Sequence, residues 1–343
     1  MKSVALTLAL TFCALAGTAP HAEAQIAQQK PISCSPAGGL HFVCGLTNVE
    51  DFLPIAGGRW LVGSSMKAGS AGLYLIDTSA KTAKAVSLSI AASPDPLYTG
   101  CTPPDLKGLV THGLDVTEEP GHVTVYAINH GGRESVEIFR LDPRRASAVW
   151  IGCVLMPPGA NGNAIAVLGK GSFAVSKFID DADKQGFQHV RAGKITGAVY
   201  VWTPAKGFSE LPGTELSGDN GLLASRDGNS LFVNAYGTRR IYRVPLSGRG
   251  ERTSVGVDFD PDNLRWAPDG QIFVTGQFVG APRAKGHVGW AVVRLDPRTM
   301  RITPVLRDPG SAEFEGATST VQIGQTLWFG TFRGDRVAYR RAP

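Results

Sequence analysis

The feature that most constrains the fold of this chain is a six-fold recurrence of paired β-type segments. In each copy, an apolar segment follows a glycine-containing turn and precedes a segment in which apolar and polar residues alternate, as in a half-buried strand. The apolar segments are residues 59–63, 123–128, 172–175, 230–233, 271–275 and 326–330. They recur at roughly 53 residues, close to the length of a four-stranded propeller blade. The pattern predicts an all-β fold, a six-bladed β-propeller of four-stranded blades in a single domain over residues 25–343.

The composition supports this prediction and excludes other classes. The chain has 42 Gly among 343 residues and only 18% charged residues, which argues against a helical bundle. Apolar residues make up 43% of the chain and run through its whole length, which argues against disorder. The net charge of +5 comes from scattered Lys and Arg rather than from a stripe. We therefore expect no nucleic-acid partner.

The first 24 residues are typical of a cleavable secretory signal. Lys2 precedes an apolar stretch over residues 4–16, and an A-x-A pattern ends at Ala24. This segment predicts cleavage near Ala24-Gln25 and a secreted or periplasmic protein. No apolar run reaches the length of a membrane span, so we expect no stable membrane insertion.

Four cysteines remain after the predicted cleavage, an even number that favours two disulfides in an oxidising compartment. These residues are Cys34, Cys44, Cys101 and Cys153. Spacing favours the pairs Cys34–Cys44 and Cys101–Cys153, although four cysteines allow three pairings.

A polar cluster precedes the turn in each copy of the repeat. The clusters contain Glu50 and Asp51, His112, Asn163, Asn220, Asp262 and Asn263, and Glu315. Corresponding strands of successive blades surround one axis, so equivalent positions converge at one end of the central channel. Taken singly, each cluster is explained by a turn, a solvated acidic pair or a structural histidine. Their shared register instead predicts one site.

The predicted site contains two carboxylates, from Glu50 and Asp262, and three amide oxygens, from Asn163, Asn220 and Asn263, with His112 beside them. Ca²⁺ accepts six to eight such hard oxygen ligands, whereas zinc prefers nitrogen and sulfur. The two carboxylates balance the charge of the dication, and the three neutral ligands leave it electrophilic. We therefore predict a catalytic Ca²⁺ site.

At these residues the chain resembles the paraoxonase/arylesterase family, within the wider gluconolactonase and senescence-marker class of six-bladed propellers. The resemblance rests on Glu50-Asp51, on residues 111–114, 128–130 and 135–139, on Asn161-Gly-Asn163, on Asn220-Gly221, on Asp262-Asn263, and on residues 315–318. It implies a calcium-dependent hydrolase of lactones or aryl esters that uses the same five metal ligands. It also implies that His112 and His130 form a dyad that activates water.

The resemblance further implies a second, weaker calcium site at Asp51 and the Leu114 carbonyl. That site lacks one ligand here, because Ala164 stands where the family has an aspartate. The family also joins its chain ends through a cysteine near the C-terminus, and Arg340 stands at that position. Closure of the ring is therefore expected to depend on strand pairing.

The hypothesis from the sequence is hydrolysis of a small-molecule lactone or activated aryl ester, in which the metal polarises the carbonyl group and His112 is the general base. Two alternatives stay open. One is a non-catalytic, calcium-stabilised propeller that binds a sugar or a protein. The other is a gluconolactonase-like sugar-lactone hydrolase without a His dyad.

Overall fold

The structure is a computed structural model that describes residues 33–279 and 286–343. Residues Ser33–Pro343 belong to one compact unit. The predicted signal segment, residues 1–24, lies outside the described residues. Within the described part of the chain, no helix is both long enough and apolar enough to cross a membrane.

The described residues form six sheets, which are the six blades and are antiparallel apart from one strand pair in the second blade. β1 (His41–Cys44) belongs to the sixth blade. The other strands follow in chain order. The first blade contains β2 (Phe52–Ile55), β3 (Trp60–Ser64), β4 (Leu73–Asp77) and β5 (Thr82–Ala85), and the second contains β6 (Ser87–Ile90), β7 (Thr111–Glu119), β8 (His122–Asn129), β9 (Ser135–Asp142) and β10 (Ser147–Leu155).

The third blade contains β11 (Ala160–Gly169), β12 (Ser172–Asp180), β13 (Ala198–Thr203) and β14 (Gly207–Glu210), and the fourth contains β15 (Asp219–Ala224), β16 (Ser230–Ala235), β17 (Arg240–Pro245) and β18 (Thr253–Gly256). The fifth blade contains β19 (Asp260–Trp266), β20 (Ile272–Gln277), β21 (Trp290–Leu295) and β22 (Ile302–Asp308), and the sixth contains β23 (Ala317–Ile323), β24 (Thr326–Thr331) and β25 (Arg336–Arg341).

In residues 33–279 and 287–343, helical structure is confined to short connections. Two single turns of 3-10 helix cover Ala56–Gly58 and Pro96–Tyr98, and α1 (Gly186–Arg191) lies between β12 and β13. The six-bladed, four-stranded prediction is confirmed, with one addition. In the second blade, β6 pairs in parallel with β10 as a fifth, outermost strand.

The inner strands of the six blades form a closed ring around the channel. β2 contacts β7 and β23, and the contacts continue from β7 through β11, β15 and β19 to β23. The ring closes where β1 pairs antiparallel with β25, from His41 opposite Tyr339 to Cys44 opposite Arg336. Closure therefore rests on strand pairing, as the sequence predicts.

The hydrophobic core is divided among the interfaces between blades. The described residues contain six apolar clusters, and each cluster joins two neighbouring blades. Trp150, Trp290 and Trp328 are among the largest fully buried side chains. Because a twisted four-stranded sheet is covered on both faces only when the ring is complete, every blade depends on its neighbours for burial.

Both disulfides favoured by the spacing are present. Cys34 is bonded to Cys44, and Cys101 is bonded to Cys153. The first holds the segment before β1 against that closing strand. The second ties the loop before β7 to β10 in the same blade.

Candidate active site

The predicted site residues on inner strands, His112 and four of the predicted ligands, lie where those strands depart from regular pairing. In each case the inner strand has one extra residue relative to the second strand of the blade, and this irregularity is a β-bulge. These bulges include His112 in β7, Asn163 in β11, Asn220 in β15, and Asp262 with Asn263 in β19. A bulge bends the strand and changes the direction of its side chains. The equivalent positions inferred from the sequence therefore share one backbone feature, a β-bulge in the inner strand.

Two glycines allow neighbouring bulges to approach closely. A Cβ atom on Gly113 would lie 2.4 Å from the carbonyl oxygen of Asn163, and one on Gly221 would lie 2.1 Å from that of Asp262. Real Cβ atoms are not found at such distances, so any other residue would push the inner strands apart. These glycines directly follow His112 and Asn220, and they explain the His-Gly and Asn-Gly pairs in the sequence.

The oxygens of Glu50 and Asp262 meet in the channel. Glu50 lies two residues before the start of β2, and its Oε1 accepts a hydrogen bond of 2.6 Å from Nδ2 of Asn263. Asp262 Oδ2 accepts one of 2.6 Å from Nε2 of Gln277, and Asn220 and Glu50 line the same cavity as Asp262. The chain thus brings together residues that are far apart in sequence.

Burial disfavours the charged forms of both carboxyl groups. Burial, reinforced by Asp262 and Asp51, raises the pKa of Glu50 well above its ordinary value. Burial also raises the pKa of Asp262 to about 7, against the opposing hydrogen bonds from Gln277 and Asn220. Two carboxyl groups held together in a buried site need a compensating cation if both are to be ionised.

The donor set of this cluster fits a divalent cation that prefers oxygen. Glu50 Oε2 and Asn220 Oδ1 are buried and accept no hydrogen bond, although buried acceptors are nearly always paired. Carboxylate and amide oxygens are ligands of the kind that Ca²⁺ takes. Within residues 33–279 and 286–343, no three His, Cys, Asp or Glu side chains gather as a metal site. Metal binding would therefore depend on the amide oxygens.

His112 is the first member of a chain of hydrogen bonds that ends on a carboxylate. Its Nδ1 lies 2.9 Å from Nε2 of His130, and Nδ1 of His130 lies 2.7 Å from Oε1 of Glu134. Oε2 of Glu134 accepts a hydrogen bond of 3.1 Å from the backbone of Gly162, which holds the carboxylate in place. Glu134 was not predicted from the sequence, because its role depends on the contact between the rings of His112 and His130.

The glutamate determines where the protons of the two rings lie. A carboxylate only accepts hydrogen bonds, so His130 must donate from Nδ1 and accept at Nε2. His112 then donates from Nδ1 and keeps its lone pair on Nε2, 3.5 Å from Oε2 of Glu50. Burial, with a smaller effect of His130, lowers the pKa of His112 well below its ordinary value. The ring is therefore neutral and able to accept a proton.

The second predicted calcium site is arranged differently. Leu114 donates its backbone N–H to Asp51 Oδ2 at 2.9 Å, and the guanidinium of Arg265 contacts the same carboxylate and the Leu114 carbonyl. Both predicted ligands therefore already face a cationic side chain, and they do not fit a second metal ion. Arg265 was not identified from the sequence.

The polar cluster of the sixth copy is a correction to the sequence interpretation. Glu315 does not join the other clusters, because it accepts a hydrogen bond from the Val288 backbone at 2.6 Å and pairs with Arg333 at 3.2 Å. The bulge of β23 instead contains Thr318, whose hydroxyl donates to the backbone carbonyl of Glu50. The sixth blade thus supports a ligand rather than supplying one.

One cavity of about 380 Å³ gives access to the site. Its polar lining includes Glu50, His112, Asn163, Asn220, Asp262, Gln277 and Arg333. Its apolar lining consists of Met66, Phe178, Phe187, Tyr236, Val279, Val288 and Phe332. A larger cavity of about 610 Å³, at the hairpin turns of the fourth and fifth blades, is lined by none of the predicted site residues. We therefore place the candidate active site in the smaller cavity.

The described structure resembles solved six-bladed propellers. A luciferin-regenerating enzyme aligns with a TM-score of 0.57 and 13% identity, over 89% of this chain and 96% of the other. A gluconolactonase from Xanthomonas campestris aligns with a TM-score of 0.55 and 16% identity, over 89% of each chain. No protein-family model and no curated protein sequence matches the chain. At this identity the likeness shows the fold, a six-bladed propeller like that of these enzymes.

Proposed function

We propose that this protein is a calcium-dependent hydrolase of lactones or activated aryl esters, similar in its site to the paraoxonase/arylesterase family. One observation carries the proposal. The Glu50 carboxyl has an unpartnered oxygen beside a neutral His112, and both line the cavity that Asn163, Asn220 and Asp262 also line. An oxygen-rich cation site beside a positioned base is what metal-assisted ester hydrolysis requires.

The residues proposed to hold the Ca²⁺ are Glu50, Asn163, Asn220, Asp262 and Asn263. When bound, the ion would polarise the substrate carbonyl group and favour the negative charge that develops on its oxygen. The chain supplies two carboxyl groups, those of Glu50 and Asp262, to one cavity, and Oε2 of Glu50 has no hydrogen-bond partner within the described residues. Asn263 orients Glu50, and Gln277 orients Asp262.

His112 is the proposed general base. The oxygen of water attacks the carbonyl carbon while its proton moves to Nε2 of His112, the nitrogen whose lone pair faces the site. The bond from the carbonyl carbon to the leaving oxygen then breaks, and the proton passes to that oxygen. His130 accepts from Nδ1 of His112 and stabilises the charged ring. Glu134 is a positioning residue, because it acts on His112 only through His130.

The apolar lining of the cavity favours a hydrophobic lactone or an aryl ester over a sugar lactone. Phe178 of β12, Phe187 of α1 and Tyr236 form one aromatic group, with ring centroids 5.7–6.4 Å apart. Phe332 and Met66 add to the same cavity. Such a surface gains free energy from burying an alkyl or aryl group and offers few partners to the hydroxyls of a sugar.

A substrate panel tests this proposal. Aliphatic lactones, sugar lactones and aryl esters would be assayed with calcium, with EGTA, and after calcium is restored. We expect hydrolysis of the apolar substrates that EGTA abolishes and calcium restores. Asn220→Ala should lower kcat/KM at least about 100-fold because it removes a ligand. Asn229→Ala, in an exposed turn of the same blade, is the matched control and should leave activity unchanged.

Three outcomes would overturn the proposal or narrow it. Full activity in EGTA would exclude the metal-assisted reaction. Hydrolysis of sugar lactones alone would favour the gluconolactonase-like alternative. Calcium binding without hydrolysis of any substrate class would favour a non-catalytic binding propeller.

A further inference from the structure

Asp51 is the chain neighbour of Glu50, yet its carboxylate is fully satisfied inside the protein. It is completely buried. Its Oδ1 accepts hydrogen bonds from the backbone of Phe52 at 2.9 Å and from the hydroxyl of Ser319 at 3.0 Å. Its Oδ2 accepts from the backbone of Leu114 at 2.9 Å and contacts the guanidinium of Arg265.

Arg265 is surrounded by oxygen atoms on several strands. Its side chain is only 6% exposed. Besides Asp51, it donates to the carbonyls of Leu114 at 3.2 Å, Phe52 at 3.4 Å and Leu264 at 2.8 Å. One carboxylate and three carbonyls from the first, second and fifth blades thus converge on one positive group. This is the kind of shell that a metal cation would otherwise collect.

A divalent ion could not share this place with Arg265. The guanidinium stays protonated in proteins, so an added dication would be repelled. The carboxylate that contacts this place is that of Asp51, and it is already paired with Arg265. Ala164, at the position where the resembled family has an aspartate, packs among apolar residues between the third and fourth blades.

We propose that the Arg265 guanidinium is a built-in cation that replaces a second metal ion and ties the inner strands of three blades together. The chain would then bind one calcium ion, not two. Only that count rests on the proposed function, because the pairing of Asp51 with Arg265 stands whether or not the protein hydrolyses lactones.

The test combines a metal count with stability measurements on the full secreted chain. Calcium titration by calorimetry, checked by elemental analysis, should give one ion per wild-type chain. Arg265→Met should lower Tm in EGTA by roughly 10 °C, because Asp51 is left buried and charged. The double variant Asp51→Asn with Arg265→Met, which removes both charges, should recover part of that loss. Arg239→Met is the matched control, since Arg239 pairs with Asp260 at 2.7 Å but is 44% exposed, and its Tm should change by only a few degrees.

Two calcium ions per wild-type chain would overturn the inference. So would a Tm for Arg265→Met that equals that of Arg239→Met, or a double variant no more stable than Arg265→Met alone. If Arg265→Met does not fold, the calcium count of the wild type and the Tm of the double variant still test the inference. A wild-type chain that binds no calcium would instead contradict the proposed function, and the Tm comparison would continue to test Arg265.

Discussion

Glu50 and Asp51 are adjacent in the chain, and both are buried carboxyl groups, but they meet opposite surroundings. Glu50 lines the cavity and has an oxygen without a hydrogen-bond partner. Asp51 faces the protein interior, where four groups from four blades satisfy it, including Arg265. The difference shows that two adjacent residues can have separate roles, one in the cavity and one in the packing of the blades. The open carboxyl group leaves a place for a cation from outside, whereas the closed one receives its cation from the chain and holds the ring together.

Removing the charge at each of the two positions should break this comparison most clearly. Asp51→Asn should lower the free energy of unfolding by about 3–5 kcal/mol, because Arg265 is left buried without its anion. Glu50→Gln should change the stability of the calcium-free protein by less than about 1 kcal/mol, because the amide resembles the protonated carboxyl group. Chemical denaturation in EGTA measures both.

With calcium present, the order of effects should invert. Glu50→Gln should lose the calcium-dependent rise in stability, and Asp51→Asn should keep it. Equal losses of stability for the two variants in EGTA would show that Glu50 and Asp51 have the same structural role.

The second prediction concerns the base beside the open carboxyl group. His112→Gln should lower kcat/KM by about 100-fold or more, because the proton acceptor is lost. Tm and calcium affinity should stay close to those of the wild type. His122→Gln, at the turn between β7 and β8, is the matched control and should retain full activity. Unchanged hydrolysis by His112→Gln would favour a site without a His dyad.

The third prediction concerns the carboxylate behind the dyad. Glu134→Gln should lower kcat about tenfold with little change in KM, because a neutral amide orients His130 less firmly. Losing the negative charge also disfavours the protonated dyad, so the acidic limb of the pH profile should move to lower pH. A purely structural role would lower Tm without moving that limb.

The smallest expected effect is a dependence of stability on pH that calcium reverses. The pKa of Asp262 is raised from 3.8 to about 7 in the folded chain. The stability that this proton provides is fully present below pH 4 and is lost as the pH rises through 7. In EGTA, the free energy of unfolding should therefore fall by roughly 1 kcal/mol between pH 6 and pH 8. With calcium it should rise, because the ionised carboxylate binds the metal. Asp262→Asn should flatten both trends, and a wild-type curve that is flat in EGTA would contradict the assignment.

Most of the architecture could be predicted from local patterns. Alternating strands and glycine turns recur in each blade, and the same recurrence led to His112, Asn163, Asn220 and Asp262. The structure brings these residues to one cavity. The register argument was wrong at Glu315, because the sixth bulge contains Thr318 instead. A threonine among many threonines gives no signal of its own.

Arg265 and Glu134 show what local patterns leave out. Arg265 contacts Asp51 although the two residues are 214 positions apart, and the sequence around either residue gives no signal of that contact. Glu134 becomes meaningful only once the rings of His112 and His130 are known to touch.

The sequence by itself determined the strands, the six-fold repeat and the residues that gather in the channel, because each depends on periodicity and on turn residues within one blade. Tertiary structure alone decided which carboxyl group stays open and which is closed. That choice depends on side chains from other blades that arrive at the channel only when the ring is complete, and on burial, which makes an unpaired charge costly. The same burial makes the Asp51–Arg265 pair a tie between strands, and it leaves Glu50 with an unpartnered oxygen that the proposed calcium ion would bind.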